Sequence, residues 1–224
     1  MKEKLLRLIE AGREKEAEIF LPHVDDSQPD QPGRWTVKDT VAHLTCWRRT
    51  AVAELDWVRT GREAPAVADE DDEQNAMFYA QTRDMPARAV LQSAARSWDD
   101  LAKAVSACTE EQLQAGRPQH PEIKVWLVAP QNAIDHIADH LEYFYADRGD
   151  AAAEEGAARW RYDTNVQAFD DDRRRGVEEY MLGRFFATHG RREEAQARLD
   201  RALELRPDLR GFAVEDPELK ELVR

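Results

Sequence analysis

The sequence predicts an all-α protein, a four-helix bundle followed by a short helical hairpin. Apolar residues recur at helical spacing over long stretches, and helix start and stop signals delimit those stretches. No segment sustains the alternation of apolar and polar residues that marks a half-buried strand. Four amphipathic helices fall within residues 1–150. Because each apolar stripe must be buried against the others, a bundle is the simplest arrangement.

The first helix is expected over about residues 2–20. It ends near Pro22, because proline disfavours helical backbone in the residue before it. The apolar stripe of this helix comprises Leu5, Leu6, Ile9, Ile19 and Phe20. A polar linker follows, and it contains Pro29, Pro32 and Gly33.

The second helix has clear signals at both ends. Thr36 and Asp39 form a capping-box pattern, in which a hydroxyl and a carboxylate three residues apart satisfy free backbone N–H groups. The helix is expected to run to about Thr60, where Gly61 provides the stop.

Two further helices complete the predicted bundle. The acidic run DEDDE at 69–73 is interpreted as a solvated loop or as the acidic first turn of a short helix, rather than as a cation site. Pro86 suits the first turn of a long helix over about residues 86–107. A loop then leads to a fourth helix over about residues 131–147. That loop contains Gly116, Pro118, Pro121 and Pro130.

Composition excludes several classes of protein. The formal net charge of -13 argues against nucleic acids and anionic membranes as partners, because both are polyanions. The chain offers neither the apolar core of a signal peptide nor a membrane span. Two cysteines, Cys46 and Cys108, lack the spacing of a metal or redox motif and suit a reducing compartment. A soluble cytoplasmic protein is therefore expected.

Three histidines stand out by their positions. His136 and His140 lie four residues apart, so they project from one face of the fourth helix, beside its apolar stripe. His43 occupies the matching edge of the second helix. If the two helices pack side by side, three imidazoles converge on a site that leaves coordination positions open, as catalytic metal sites do. Each histidine taken alone is also compatible with a packing role at the edge of the core.

Three segments resemble the ClbS/DfsB-type branch of the DinB-like four-helix bundle superfamily. They are GRWTVKDTVAHLTCW at 33–47, NAMFYAQTRDMPARAVL at 75–91 and NAIDHIADHLEYF at 132–144, and the resemblance extends over about residues 1–148. The resemblance implies a divalent metal, typically zinc or nickel, held by one histidine of the second helix and the HxxxH pair of the last. Residue by residue, these ligands correspond to His43, His136 and His140.

The resemblance also indicates a class of chemistry. Relatives include transferases and isomerases that use low-molecular-weight thiols, and proteins thought to inactivate reactive small molecules. A metal with an open position either activates water for hydrolysis or holds a thiolate for transfer. We therefore expect a small-molecule enzyme of a detoxifying or protective kind. Because some relatives lack the ligands or any known activity, a structural or vestigial metal site is an alternative.

Other side chains near the histidines have two interpretations each. Asp39 either orients His43 or caps its helix, and Tyr143 either donates a proton or is an aromatic residue at the edge of the core. Cys46 is expected to be a buried core thiol. Arg48 and Arg49 are expected to be surface residues, with a substrate carboxylate as their alternative partner. The loop histidines His23 and His120 are not expected to be ligands.

A second region is predicted after residue 150, where the composition changes to AAAEEGAA, a linker or the start of a helix. Within it, residues 176–209 resemble one tetratricopeptide repeat. The residues that match the repeat are Leu182, Gly183, Phe186, Gly190, Ala195, Leu199, Ala202 and Pro207. A final short helix is expected over 216–223.

One repeat cannot bury its own apolar face. The region 157–224 is therefore expected to pack on the bundle, on a helix around 160–169 or on a second copy of the chain. Completion of the core is the favoured role. A non-catalytic adaptor that binds a protein partner through this tail, or a homodimer, is the alternative.

Overall fold

The computed structural model describes residues 1–28, 34–62, 68 and 71–223. These divide into two compact units, Met1–Ile137 and Ala138–Arg224, and the division falls inside one continuous helix. The sequence-based boundary near residue 150 stays a prediction about domains. Among the described residues, none of the helices has the length and apolarity that a bilayer crossing demands.

The first unit is helical, as the sequence predicts. The described residues contain no β-strand, and their β-type pairing is limited to an isolated bridge between Gly116 and Lys124. Short 3-10 turns at Leu21–His23 and Val125–Leu127 flank the helices. The α-helices are α1 (Lys2–Ile19), α2 (Val37–Thr60), α3 (Asp71–Thr82), α4 (Ala87–Ala107), α5 (Glu110–Leu113) and α6 (Val128–Pro130).

The core of this unit is formed by apolar faces of α1, α2 and α4 and by the segment that precedes His136. In α1 the buried stripe includes Leu8, whereas the predicted Leu6 and Ile19 are only partly buried. The largest fully buried apolar side chains of the unit are Phe20, Leu5, Leu8, Leu44, Leu55, Leu101, Leu113, Ile134 and Ile137. This packing places α2, with His43, against the chain that leads into His136.

The ends of α2 are as predicted. The backbone N–H of Asp39 donates to the Thr36 hydroxyl at 3.2 Å, and the N–H of Thr36 donates to the Asp39 carboxylate at 2.9 Å. Gly61 ends the helix in the left-handed region, with φ 70°. These local signals fix the start of the helix that carries His43, seven residues after its N-cap.

Loss of the Thr36 cap has a predictable cost. We expect Thr36→Ala to lower the free energy of unfolding by about 1 kcal/mol, because it leaves a first-turn N–H without its side-chain acceptor. Thr60→Ala removes a hydroxyl at the other, exposed end of the same helix, which donates to the Asp56 carbonyl and accepts from the N–H of Arg62. It should change stability by less than about 0.5 kcal/mol, because water replaces both exposed contacts. Urea denaturation measures both. Equal losses in the two variants would contradict the capping role.

Two predictions about connecting segments are resolved by the structure and one lies outside it. Residues 71–73 of the acidic run form the first turn of α3, so the helical interpretation is correct, while 69 and 70 lie outside the described residues. The linker residues Pro29, Pro32 and Gly33 also lie outside them.

Pro130 was expected in a loop, and that is wrong. It has helical backbone, which proline tolerates near a helix start because the N–H it lacks needs no partner there.

The second unit contains most of α7 (His136–Ala146) and four later helices. The later helices are α8 (Ala151–Ala168), α9 (Asp172–Thr188), α10 (Arg192–Leu205) and α11 (Arg210–Glu215). The segment AAAEEGAA is the start of α8 and not a linker, and Asp150 caps it through the N–H of Ala153. Helices α9 and α10 form a hairpin that turns at Gly190, where φ is 69°.

The apolar face of this hairpin is buried within its own unit. Gly183 permits close approach, because a Cβ there would lie 3.2 Å from the Cβ of Arg198 on α10. Helix α8 and the C-terminal segment contribute to the same cluster. Its members are Ala158, Leu182, Phe185, Phe186, Ala195, Leu199, Ala213, Leu219 and Leu222. The likeness to a tetratricopeptide repeat and the binding of a partner stay predictions.

The predicted final helix over 216–223 is wrong. The helix is α11, which ends before Asp216, and a 3-10 turn follows at Lys220–Leu222. Asp216 has extended backbone because Pro217 follows it. The Asp216 carboxylate accepts hydrogen bonds from the Tyr180 hydroxyl at 2.9 Å and from the N–H of Glu218 at 2.9 Å, which hold the turn in place.

Candidate metal centre

The three predicted histidines come together. His43 lies on α2 and is buried, whereas His136 and His140 lie one turn apart on α7 and are partly buried. One ring nitrogen from each lies within 4.8 Å of the others. The Nε2 atoms of His43 and His136 face each other at 2.9 Å. His43 on α2 therefore lies beside His136 at the start of α7.

An irregular turn positions the histidine pair. Residues Gln131–Asp135 form a π-helical turn, and the N–H of His136 donates to the carbonyl of Gln131, five residues earlier. Such turns insert a residue into the helix and often occur at functional sites. Within the turn, the side-chain amide of Asn132 donates to the carbonyl of Val128 at 2.9 Å.

The donor set fits a divalent metal. Nitrogens about 2.0–2.1 Å from one ion in a tetrahedral site are about 3.3 Å apart, which lies between the 2.9 Å contact and the 4.8 Å limit of the cluster. Burial lowers the pKa of His140 to about 4, so its imidazole is neutral near pH 7 and offers a lone pair. Imidazoles suit zinc and nickel, and three ligands leave coordination positions open.

Aromatic rings surround two of the histidines. The ring centroid of Trp35 is 4.7 Å from that of His43, and the Trp47 ring is 6.3 Å from that of His136. From α3, Tyr79 stacks on Trp35 at 5.8 Å, and Phe78 meets Trp47 edge to face at 5.4 Å. We call these four side chains the aromatic cluster. The cluster gives the histidines apolar surroundings on this side.

The contacts of Asp39 and Tyr143 are as follows, and the role of each near the site stays a prediction. The Asp39 carboxylate accepts hydrogen bonds from the hydroxyl and the N–H of Thr36, as a helix cap does. Tyr143 is 69% exposed, and its ring centroid lies 6.2 Å from that of His140. Neither residue belongs to the group of convergent donor atoms.

The remaining candidates are placed as follows. Cys46 is buried, and burial raises the pKa of its thiol, so it is not poised as a thiolate. His23 and His120 are exposed and lie outside the convergent group. The Nδ1 atom of His120 lies 3.5 Å from the carboxylate of Glu122.

Arg48 corrects the expectation of a surface arginine. Its side chain is 0% exposed, and its guanidinium forms a two-pronged ion pair with Glu16 of α1, at 2.7 and 3.2 Å. Ser97 and Thr45 accept two further hydrogen bonds, and the guanidinium lies 4.2 Å from the Trp98 ring centroid. Arg49 remains exposed and donates to the Ser93 hydroxyl.

Sequence reasoning missed one further part of the site, the contribution of Trp35 and of Phe78 and Tyr79. All three stand within segments quoted for the family resemblance, and the last two are adjacent. Their adjacency on a short helix that follows an acidic run is the signal that could have found them.

Fold and site together define a helical bundle with a candidate three-histidine metal centre. The chain belongs to the DinB superfamily, whose sequence model matches residues 15–146, more than half of the chain. All three histidines and the aromatic cluster lie inside the matched range. Comparisons with curated proteins and with solved structures give no match.

Proposed function

We propose that this chain is a metal-dependent small-molecule enzyme that holds one divalent ion, zinc or nickel, with His43, His136 and His140. The observation that carries this proposal is the convergence of three ring nitrogens within 4.8 Å. The superfamily supports the proposal at the level of fold, and the resemblance to its ClbS/DfsB-type branch supports a protective or detoxifying role.

Two reactions fit such a site. A bound divalent ion acts as a Lewis acid and favours the deprotonated form of water or of a thiol. In a transfer, the sulfur of a thiol forms a bond to an electrophilic carbon of the second substrate, the thiol proton passes to solvent, and the leaving group departs with its electron pair. In a hydrolysis, water takes the place of the thiol.

The chain's own residues constrain the transfer reaction. Cys46 does not supply the sulfur, because it is buried and burial raises the pKa of its thiol. The thiol is therefore an external, low-molecular-weight one. The aromatic cluster limits the access of water on its side of His43 and His136, which favours attack by a thiol over competing hydrolysis.

Metal content tests the ligand set. Protein purified without an affinity tag should contain about one zinc or nickel ion per chain by elemental analysis. His136→Ala should lose most of this metal, because two ring nitrogens cannot replace three. His120→Ala is the matched control, since it removes an exposed histidine outside the cluster, and it should retain full content. Unmodified protein without metal, or equal metal content in the two variants, would contradict the proposal.

Metal removal separates a catalytic site from a structural one. The core of the first unit is apolar and is built by α1, α2 and α4, so we expect the chelated protein to keep its helical circular dichroism. Its thermal midpoint should fall, because an ion present at about 100 times its dissociation constant adds about 2.7 kcal/mol of stability. Complete unfolding on chelation would indicate a structural metal instead.

An assay of both reactions decides between them. Metal-loaded protein is incubated with a small thiol and a set of small electrophiles, and free thiol and released leaving group are followed in parallel. Transfer consumes thiol in step with release of the leaving group, whereas hydrolysis leaves the thiol intact. If neither thiol loss nor leaving-group release exceeds the background of His136→Ala, the protein is not an enzyme for this substrate class.

A further inference from the structure

The aromatic cluster has features of a binding surface. Trp35, Trp47, Phe78 and Tyr79 are all only partly buried, although aromatic side chains of this size dominate protein cores. The buried residues of α3 are instead Gln74 and Thr82. Helix α3 therefore directs its aromatic rings towards the histidine-bearing side of α2 without burying them. Contiguous, partly exposed aromatic surface with a few polar groups beside it is typical of ligand-binding sites.

The rings are held in fixed orientations. The planes of Trp35 and Tyr79 are parallel within 6°, and their centroids are 5.8 Å apart, so the two rings are stacked with an offset. Both side chains are only partly buried. The indole N–H of Trp47 donates to the Asn75 side chain at 3.0 Å, which fixes that ring beside His136. Such a surface is ready to stack a flat molecule without rearrangement.

We propose that the aromatic cluster binds the substrate and that the substrate is a small planar aromatic or conjugated molecule. Parallel π faces favour a flat ring over a saturated one of equal volume. A molecule stacked on Trp35 lies beside the imidazole of His43, since the two ring centroids are 4.7 Å apart. The direction of the reacting atom towards the histidines rests on the proposed function, whereas the stacking itself does not.

The test compares a flat probe with its saturated counterpart. Isothermal titration of the protein with 2-naphthol and with decahydro-2-naphthol should show roughly tenfold tighter binding of the flat probe. Tyr79→Leu should weaken naphthol binding by roughly the same factor. Phe212→Leu is the matched control, because it removes an aromatic ring that is 66% exposed on α11, and it should bind as the unmodified protein does.

A second measurement uses the unmodified protein, so it does not depend on whether a variant folds. In the NMR spectrum of the unmodified protein, naphthol should shift the indole N–H signals of Trp35 and Trp47 more than those of the other four tryptophans. Equal affinity for the two probes, an equal loss in Phe212→Leu, uniform indole shifts, or a preference for tetramethylammonium over naphthol would each overturn the assignment. The last result would indicate a site for cations instead.

The titration is repeated on chelated protein and on His136→Ala, which separates the two proposals. If the protein binds naphthol but never holds metal, the result supports the aromatic site and contradicts the proposal of a metal-dependent enzyme. Metal binding without discrimination between the probes does the reverse, because it keeps the metal centre and rejects the planar substrate.

Discussion

Arg48→Met is expected to lower the free energy of unfolding by about 3–5 kcal/mol. The substitution leaves the carboxylate of Glu16 at 1% exposure with a hydrogen bond from the indole N–H of Trp98, at 2.9 Å, in place of its ion pair. A buried charge that loses its partner keeps its full cost of desolvation. Burial also lowers the pKa of the Arg48 guanidinium, and the nearby Glu16 opposes this. The two charges therefore depend on each other.

The double variant tests this interpretation. Glu16→Leu combined with Arg48→Met replaces both charges by apolar side chains, and it should regain most of the stability lost by Arg48→Met, because neither charge is left alone. Arg49→Met is the matched control, since its arginine is exposed, and it should cost less than about 1 kcal/mol. Urea denaturation measures all three. Losses that simply add in the double variant would show that the pair is not coupled.

The pair also has a consequence for the site. Arg48 lies on α2 five residues after His43, and it connects that helix to Glu16 of α1 and Ser97 of α4. A guanidinium donates its hydrogen bonds in fixed directions, because the group is planar and rigid. The pair therefore fixes the rotation of α2 about its axis, on which the direction of His43 depends.

The predictions that the structure confirms rest on local signals. The capping box of Thr36 and Asp39 and the helix end at Gly61 each involve residues within one or two turns. Such features depend only on residues that are close in sequence, so the sequence alone predicts them. The pair of His136 and His140 is local in the same sense. The helical bundle follows from the apolar stripes, because those stripes must be buried whatever the connections are.

The features that sequence reasoning missed depend on distant partners. Arg48 looks like a surface residue until Glu16, 32 residues away, is known to face it. The position of the aromatic rings of α3 beside His43 likewise depends on how the chain returns over α2. The π-turn before His136 has no strong sequence signature, and it packs against α1, a helix more than 100 residues earlier in the chain.

That packing leads to the second prediction, for Gly12→Ala. Gly12 is buried on α1, and a Cβ there would overlap the carbonyl group of Ala133 and lie 3.0 Å from the Trp98 ring. Backbone cannot move aside as a flexible side chain does, so we expect a loss of at least about 3 kcal/mol in the free energy of unfolding. Thermal and urea denaturation measure this loss.

The same substitution should weaken metal binding. Ala133 lies in the π-turn whose Gln131 carbonyl accepts the N–H of His136, so displacing the turn moves that imidazole relative to His43. Because ligand positions must hold to a few tenths of an ångström, we expect roughly tenfold weaker binding in the folded fraction, measured by competition with a chelator.

Gly156→Ala is the matched control for Gly12→Ala. Gly156 lies in α8, and a Cβ there would meet nothing within 4 Å. It should therefore gain about 0.5–1 kcal/mol from helix propensity and leave metal affinity unchanged. If Gly12→Ala retained both its stability and its metal affinity, the contact between α1 and the π-turn could not be what positions His136. Loss of stability alone would instead limit the role of that contact to packing.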